Sequence, residues 1–127
     1  MRHPYAELIG FEVTGRDAGE STLTLKIRPE HMNPHGVAHG AVLYALADTG
    51  MGAALYSLLE EGQACATVTC AINYFRPVGG GTVTCRTFVR NKGRTIAALE
   101  SEIWNGEKLA ATAQGQFSIF AVRPPKG

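Results

Sequence analysis

The chain's 127 residues suit one domain (1–127) with a single core, and 45% hydrophobic with 18% charged residues suits a soluble globular protein and argues against disorder. A net charge of +1, with the twelve Lys and Arg scattered, gives no sign of a nucleic-acid or membrane-surface binder. Three cysteines (Cys65, Cys70 and Cys85) form no C-x-x-C pair, and the chain does not begin with a basic and then apolar segment, so free thiols serving as small core residues in a reducing cytoplasm are expected.

Residues Pro4 to Ile9 suit a short helix with Pro4 near its start. Residues 21 to 27 alternate, with Leu23, Leu25 and Ile27 on one face and Thr22, Thr24 and Lys26 on the other, which predicts a half-buried strand. The segment RPEHMNPHGVAHG carries Pro29, Pro34, Gly36 and Gly40 and reads as a structured loop. A long helix is expected from Gly40 to Leu59, ending before Glu60, Glu61 and Gly62. Only Asp48 is charged in that stretch, which is nearly long enough to span a bilayer. Its central carboxylate, three glycines, two tyrosines and lack of basic flanks favour instead a helix buried by its own protein.

The remainder predicts about four antiparallel strands in a meander. Residues 66 to 75 are rich in β-branched and aromatic side chains, and Arg76-Pro77 with three glycines closes them. Residues 82 to 90 form a second run, broken by Asn91-Lys92-Gly93; residues 95 to 104 form a third. Asn105-Gly106 suits a type I′ hairpin, and a last strand from Lys108 to Phe120 precedes a Pro-Pro tail expected to fray. One apolar helix against one antiparallel sheet gives an α+β fold of two layers. Since the helix is apolar on nearly every face, the sheet is expected to curl around it and a second subunit to cover the rest.

His31, His35 and His39 stand four apart, a metal-ligand spacing on a continuous helix, but Pro34 and Gly36 interrupt it, so no metal or cofactor is expected. Asp48 is more telling. A carboxylate inside an apolar helix costs several kcal/mol unless paired, hydrogen-bonded or neutralised. It is either a satisfied structural Asp or a base or nucleophile at the edge of a dry pocket. Gly40 stands where the helix should begin, so its amide is a free donor at a helix N-terminus, favourable to a developing anion. Such a donor and a carboxylate two turns on could flank one carbonyl carbon, the pair that acyl transfer needs.

The string NPHGVAHGAVLYALADTG resembles the signature of the PaaI-type hotdog thioesterases, with Asn33, His39, Gly40 and Asp48 matching position by position. The resemblance extends through INYFRP (residues 72 to 77) and the NKGRT turn (residues 91 to 95). It implies a hotdog fold, in which a five- or six-stranded antiparallel sheet wraps the long helix and two protomers join their sheets. It further implies a homodimer as the minimal unit, homotetramers built from dimers, and active sites at the dimer interface. By the same resemblance the Gly40 amide holds the thioester carbonyl oxygen, and Asp48 of the other subunit acts as nucleophile or general base. Asn33 and His39 help fix the carbonyl and the loop, and Thr67 falls near the position of a water-orienting Ser or Thr. One departure is Ala41, where the family often has a second glycine.

For the phosphates of coenzyme A, Arg76, Arg90, Lys92 and Arg94 are candidates by position, Arg94 foremost because Gly93-Arg94-Thr95 resembles a nucleotide-contacting turn. Each is equally readable as a solvated strand-end charge. Tyr44 and Tyr74 could line an acyl site, although core packing is the expected role. The leading reading is hydrolysis of an acyl-CoA, aromatic and of phenylacetyl type ahead of long fatty chains. Alternatives are a hotdog hydratase or dehydratase, and a non-catalytic acyl-CoA binding module.

Overall fold

A computed structural model describes residues 2–122. The elements in chain order are α1 (Pro4–Ile9), β1 (Glu12–Asp17), β2 (Glu20–Lys26), a short 3-10 turn (Pro29–His31), α2 (Gly40–Tyr56), β3 (Gln63–Tyr74), β4 (Thr82–Lys92), β5 (Ile96–Asn105) and β6 (Lys108–Ala121). The Pro-Pro tail lies outside the described residues. The six strands form one sheet in the order β1-β2-β4-β5-β6-β3, with every neighbouring pair antiparallel.

The helix meets all six strands. Leu43, Leu46, Ala47, Met51, Ala54 and Leu55 are buried against inward residues such as Leu23, Val83, Leu99 and Ile103. The sheet thus curls around its helix as the all-round apolar pattern requires. Helix and sheet approach closely at Gly50, where an added Cβ would stand 2.6 Å from the Thr87 hydroxyl, so a side chain there would displace the helix. Buried hydroxyls bond the helix carbonyls at this contact: Ser21 Oγ donates to Gly50 O at 2.6 Å and Ser101 Oγ to Ala47 O at 3.3 Å. Thr87 and Ser101 share a further bond of 2.7 Å.

Three expectations change. The helix ends at Tyr56 and not Leu59, with Ser57 as C-cap, its hydroxyl donating to Ala54 O at 2.7 Å. The last four strands are not one meander: β4-β5-β6 is, but β3 pairs with β6 at the far edge and the chain crosses to β4 near the start of α2, where Ala38 N donates to Val78 O at 2.7 Å. Of the three free thiols only Cys85 is fully buried, and burial pushes it up to about 11; Cys65 and Cys70 are half-buried. Among the described residues no helix is long and apolar enough to cross a membrane.

Candidate active site

The approach to α2 is a tightly bonded loop. Asn33 Oδ1 accepts from His35 N at 2.9 Å and Val37 N at 3.4 Å, and Asn33 N donates to Val37 O at 2.8 Å. His31 is buried; its Nδ1 accepts from Arg28 N at 2.9 Å, which leaves Nε2 to donate to Ile9 O at 2.7 Å. His39 N donates in turn to His31 O at 2.8 Å. His31 therefore ties α1 to the loop that aims the helix, while His35 is exposed and His39 caps; the three rings do not converge as their spacing alone would allow.

His39 is the N-cap of α2, with extended backbone and Nδ1 accepting from Ala41 N at 2.9 Å. Ala41 fits the first helical turn with its methyl exposed. The Gly40 N–H has no intramolecular acceptor among the described residues, so a donor stands free at the positive end of a 17-residue helix. Tyr74 packs over it: the phenol donates to Gly40 O at 2.7 Å, and a Cβ on Gly40 would lie 3.0 Å from the ring. A cleft of about 310 Å³ opens there, lined by Gly40, Leu43, Tyr74, Phe75, Arg76 and Val78 among others.

Asp48 is half-buried on α2, and its Oδ1 accepts from Thr67 Oγ1 of β3 at 2.7 Å. A β-bulge between Thr67 and Thr69 leaves Val68 as the extra residue and 54% exposed. Cys70 and Tyr44 complete the neighbourhood, Tyr44 OH donating to Cys70 O at 3.4 Å. Burial foremost pushes the Cys70 thiol up, with the Asp48 charge adding to it; burial likewise raises Tyr44 and Tyr74.

Within one protomer Gly40 and Asp48 do not flank a common carbonyl. Eight residues of helix separate them, about 12 Å at the α-helical rise. Arg76 lies at the Gly40 end of β3, whereas Gly93 and Arg94 lie in the β4–β5 turn, whose Thr95 O accepts from Ile119 N opposite Cys65, near the other end. Arg90 pairs with Glu100 at 3.0 Å on the sheet's outer face. Tyr44 and Tyr74, expected in the core, sit at its margin, 37% and 50% exposed. Sequence pattern places Phe75 and Lys108 at strand ends but marks neither as a cleft residue, because the β3–β6 pairing that positions them is not local.

Capped helix, free amide, helical carboxylate and wrapping sheet define the hotdog class of acyl-transfer protein. Residues 35–111 match the model of the thioesterase superfamily, and the chain belongs to that family as a thioester hydrolase. It is 30% identical to the acyl-coenzyme A thioesterase PaaI of Escherichia coli over 81% of this chain and 72% of that one. A conserved protein of Pseudomonas aeruginosa superposes with TM-score 0.91 at 34% identity, covering 94% of this chain and 96% of that one. A variant of the phenylacetic acid degradation protein PaaI from Thermus thermophilus gives 0.85 at 32%, covering 91% and 98%.

Proposed function

We propose that the protein hydrolyses an acyl-CoA thioester, requiring no metal, at a site shared by two protomers. The Gly40 amide of one protomer binds the developing oxyanion, and Asp48 of the other attacks the carbonyl or activates water, with Thr67 orienting the carboxylate or the water. Asn33 and His39 hold the loop that presents the amide. Arg94, in the turn closed by Gly93, reaches this composite site only from the second protomer.

The separation of Gly40 from Asp48 along one helix carries this reading, because one carbonyl cannot meet both groups of a single protomer. The two edges of the sheet support it. Edge strand β1 is six residues long, bears Glu12, Arg16 and Asp17, and is broken by a register shift, all of which discourage pairing. Edge strand β3 is twelve residues long with no charged residue, and its outer side is unpaired among the described residues. An antiparallel pairing of two β3 strands about a two-fold axis near Cys70 sets Thr67 of one opposite Tyr74 of the other. Thr67 holds Asp48 and Tyr74 holds Gly40, so that register brings donor and carboxylate together.

The acyl group is aromatic, of phenylacetyl type. Tyr74, Phe75 and Leu43 give the cleft an aromatic and aliphatic wall, and a relative is named for phenylacetic acid degradation. The setting is the cytoplasm and the assembly a homotetramer of two such dimers. The test is thiol release from a panel of acyl-CoA thioesters, acetyl to palmitoyl with phenylacetyl and benzoyl, in the presence of chelator. Turnover is expected to survive chelation and to fall at least ~100-fold in Asp48→Asn. A variant as fast as the parent, or a panel left uncleaved, refutes the reading.

A further inference from the structure

The loop that presents Gly40 is a small finger whose base is His31 and His39. Met32 and Ala38 form an antiparallel bridge within it, and Asn33 N donates to Val37 O at 2.8 Å. The bond from His39 N to His31 O, also 2.8 Å, closes the base. It fixes the residue immediately before Gly40, and the free Gly40 N–H belongs to the peptide that His39 begins. The aim of that donor therefore depends on where the backbone of His31 stands.

The His31 ring sets that position. It is 4% exposed, and both its nitrogens are bonded. Nδ1 accepts from Arg28 N at 2.9 Å, so the side chain folds back on the 3-10 turn that carries it. Nε2 donates to Ile9 O at 2.7 Å and ties the turn to α1. The two bonds are unequal in what their loss would expose. Ile9 O also accepts from Arg28 Nη2 at 2.8 Å and keeps that partner without the ring. Arg28 N has no other acceptor among the described residues, so losing Nδ1 orphans a backbone donor at the base of the finger.

We propose that His31 is a positioning residue for the reaction: through the backbone of His39, its imidazole aims the Gly40 amide at the oxyanion. This rests on Gly40 being the oxyanion donor. Such a donor acts on charge that develops in the transition state, so a misaimed amide lowers kcat and leaves KM near the parental value.

The test uses two replacements of one ring. His31→Leu fills the slot but accepts nothing, whereas His31→Asn can set its carboxamide oxygen where Nδ1 stands. With the best-cleaved member of the acyl-CoA panel, kcat per folded protein is expected to fall about tenfold in His31→Leu at little-changed KM, and to recover most of that loss in His31→Asn. Ser101→Ala, which removes a buried hydroxyl bond elsewhere along α2, controls for lost stability alone and is expected to keep the parental kcat. Should His31→Leu not fold, His31→Gln takes its place, since its carboxamide reaches Ile9 O but not Arg28 N. An unchanged kcat in that variant, a His31→Asn no faster than it, or an equal loss in Ser101→Ala overturns the proposal. If the parent cleaves no thioester, the NMR signal of the Gly40 amide decides the matter separately. A signal displaced in His31→Leu and restored in His31→Asn upholds the aiming role, and one unmoved in both overturns it.

Discussion

One stretch of α2 carries polar contacts on two sides, and the sides differ in what closes them. Toward the middle of the sheet, Ser21, Thr87 and Ser101 are all buried, and their hydroxyls bond one another or the carbonyls of Ala47 and Gly50. Every group there finds its partner inside the protomer. Toward β3, Asp48 is half-buried, Thr67 binds only its Oδ1, and beyond them lies an exposed strand edge. The first set fixes where the helix sits; the second leaves a carboxylate with capacity for another molecule. Polarity in an apolar setting marks function only where the network stays open.

The largest expected contrast follows from removing one member of each set. Asp48→Asn is expected to lose at least ~100-fold in turnover while its urea midpoint stays at or above the parent's, since no closed network depends on the charge. Ser101→Ala is expected to do the reverse. It removes the Thr87 hydroxyl's 2.7 Å partner, leaving only the Cys85 thiol at 3.8 Å, and should cost about 1–3 kcal/mol in urea unfolding, with turnover of the folded enzyme little altered. If Ser101→Ala abolishes turnover at full stability, the division between the two sides is wrong.

A smaller effect sharpens the buried side. Cys85 is raised from 9.0 to about 11 by burial, so the folded state holds its proton longer than the unfolded chain does. The resulting stability is fully present below the unfolded value near pH 9 and is lost as pH rises through the folded value. Stability is therefore expected to decline between those limits by order 2 kcal/mol from this group. Cys85→Ala should flatten that decline, as urea midpoints of the two proteins from pH 8 to 11 would reveal.

Much of this was legible in the chain. The apolar run broken by Asp48 marks both the buried helix and the residue that faces the open edge, and Gly40 falls where the free amide stands. Asn105-Gly106 marks its hairpin directly, the β5–β6 register closing on Asn105 and Lys108. Local pattern could not reach the rest. Alternation says which residues share a face but not which strand they join, so a meander sets β3 beside β4, whereas it pairs with β6. Strand β1 is exposed at every position and has no alternation to read. The contacts of Tyr74 with Gly40 and of Arg76 with Ala110 depend on that distant pairing. The family resemblance implies a second protomer, and the proposed shared site rests on it, because Gly40 and Asp48 stand two turns apart along one helix.

Complementation tests the shared site most directly. Gly40→Pro removes the donor itself; proline suits the first helical position after the extended His39, with ψ 136°, and the half-exposed Tyr74 ring, 3.0 Å from its Cβ, must move aside. Gly40→Pro and Asp48→Asn should each be inactive alone. Unfolded and refolded together, they form mixed dimers in which one of the two sites has both native residues, so about a quarter of parental activity is expected from random pairing. A mixture as inactive as its components would contradict the account, because it would place Gly40 and Asp48 in the same protomer's site.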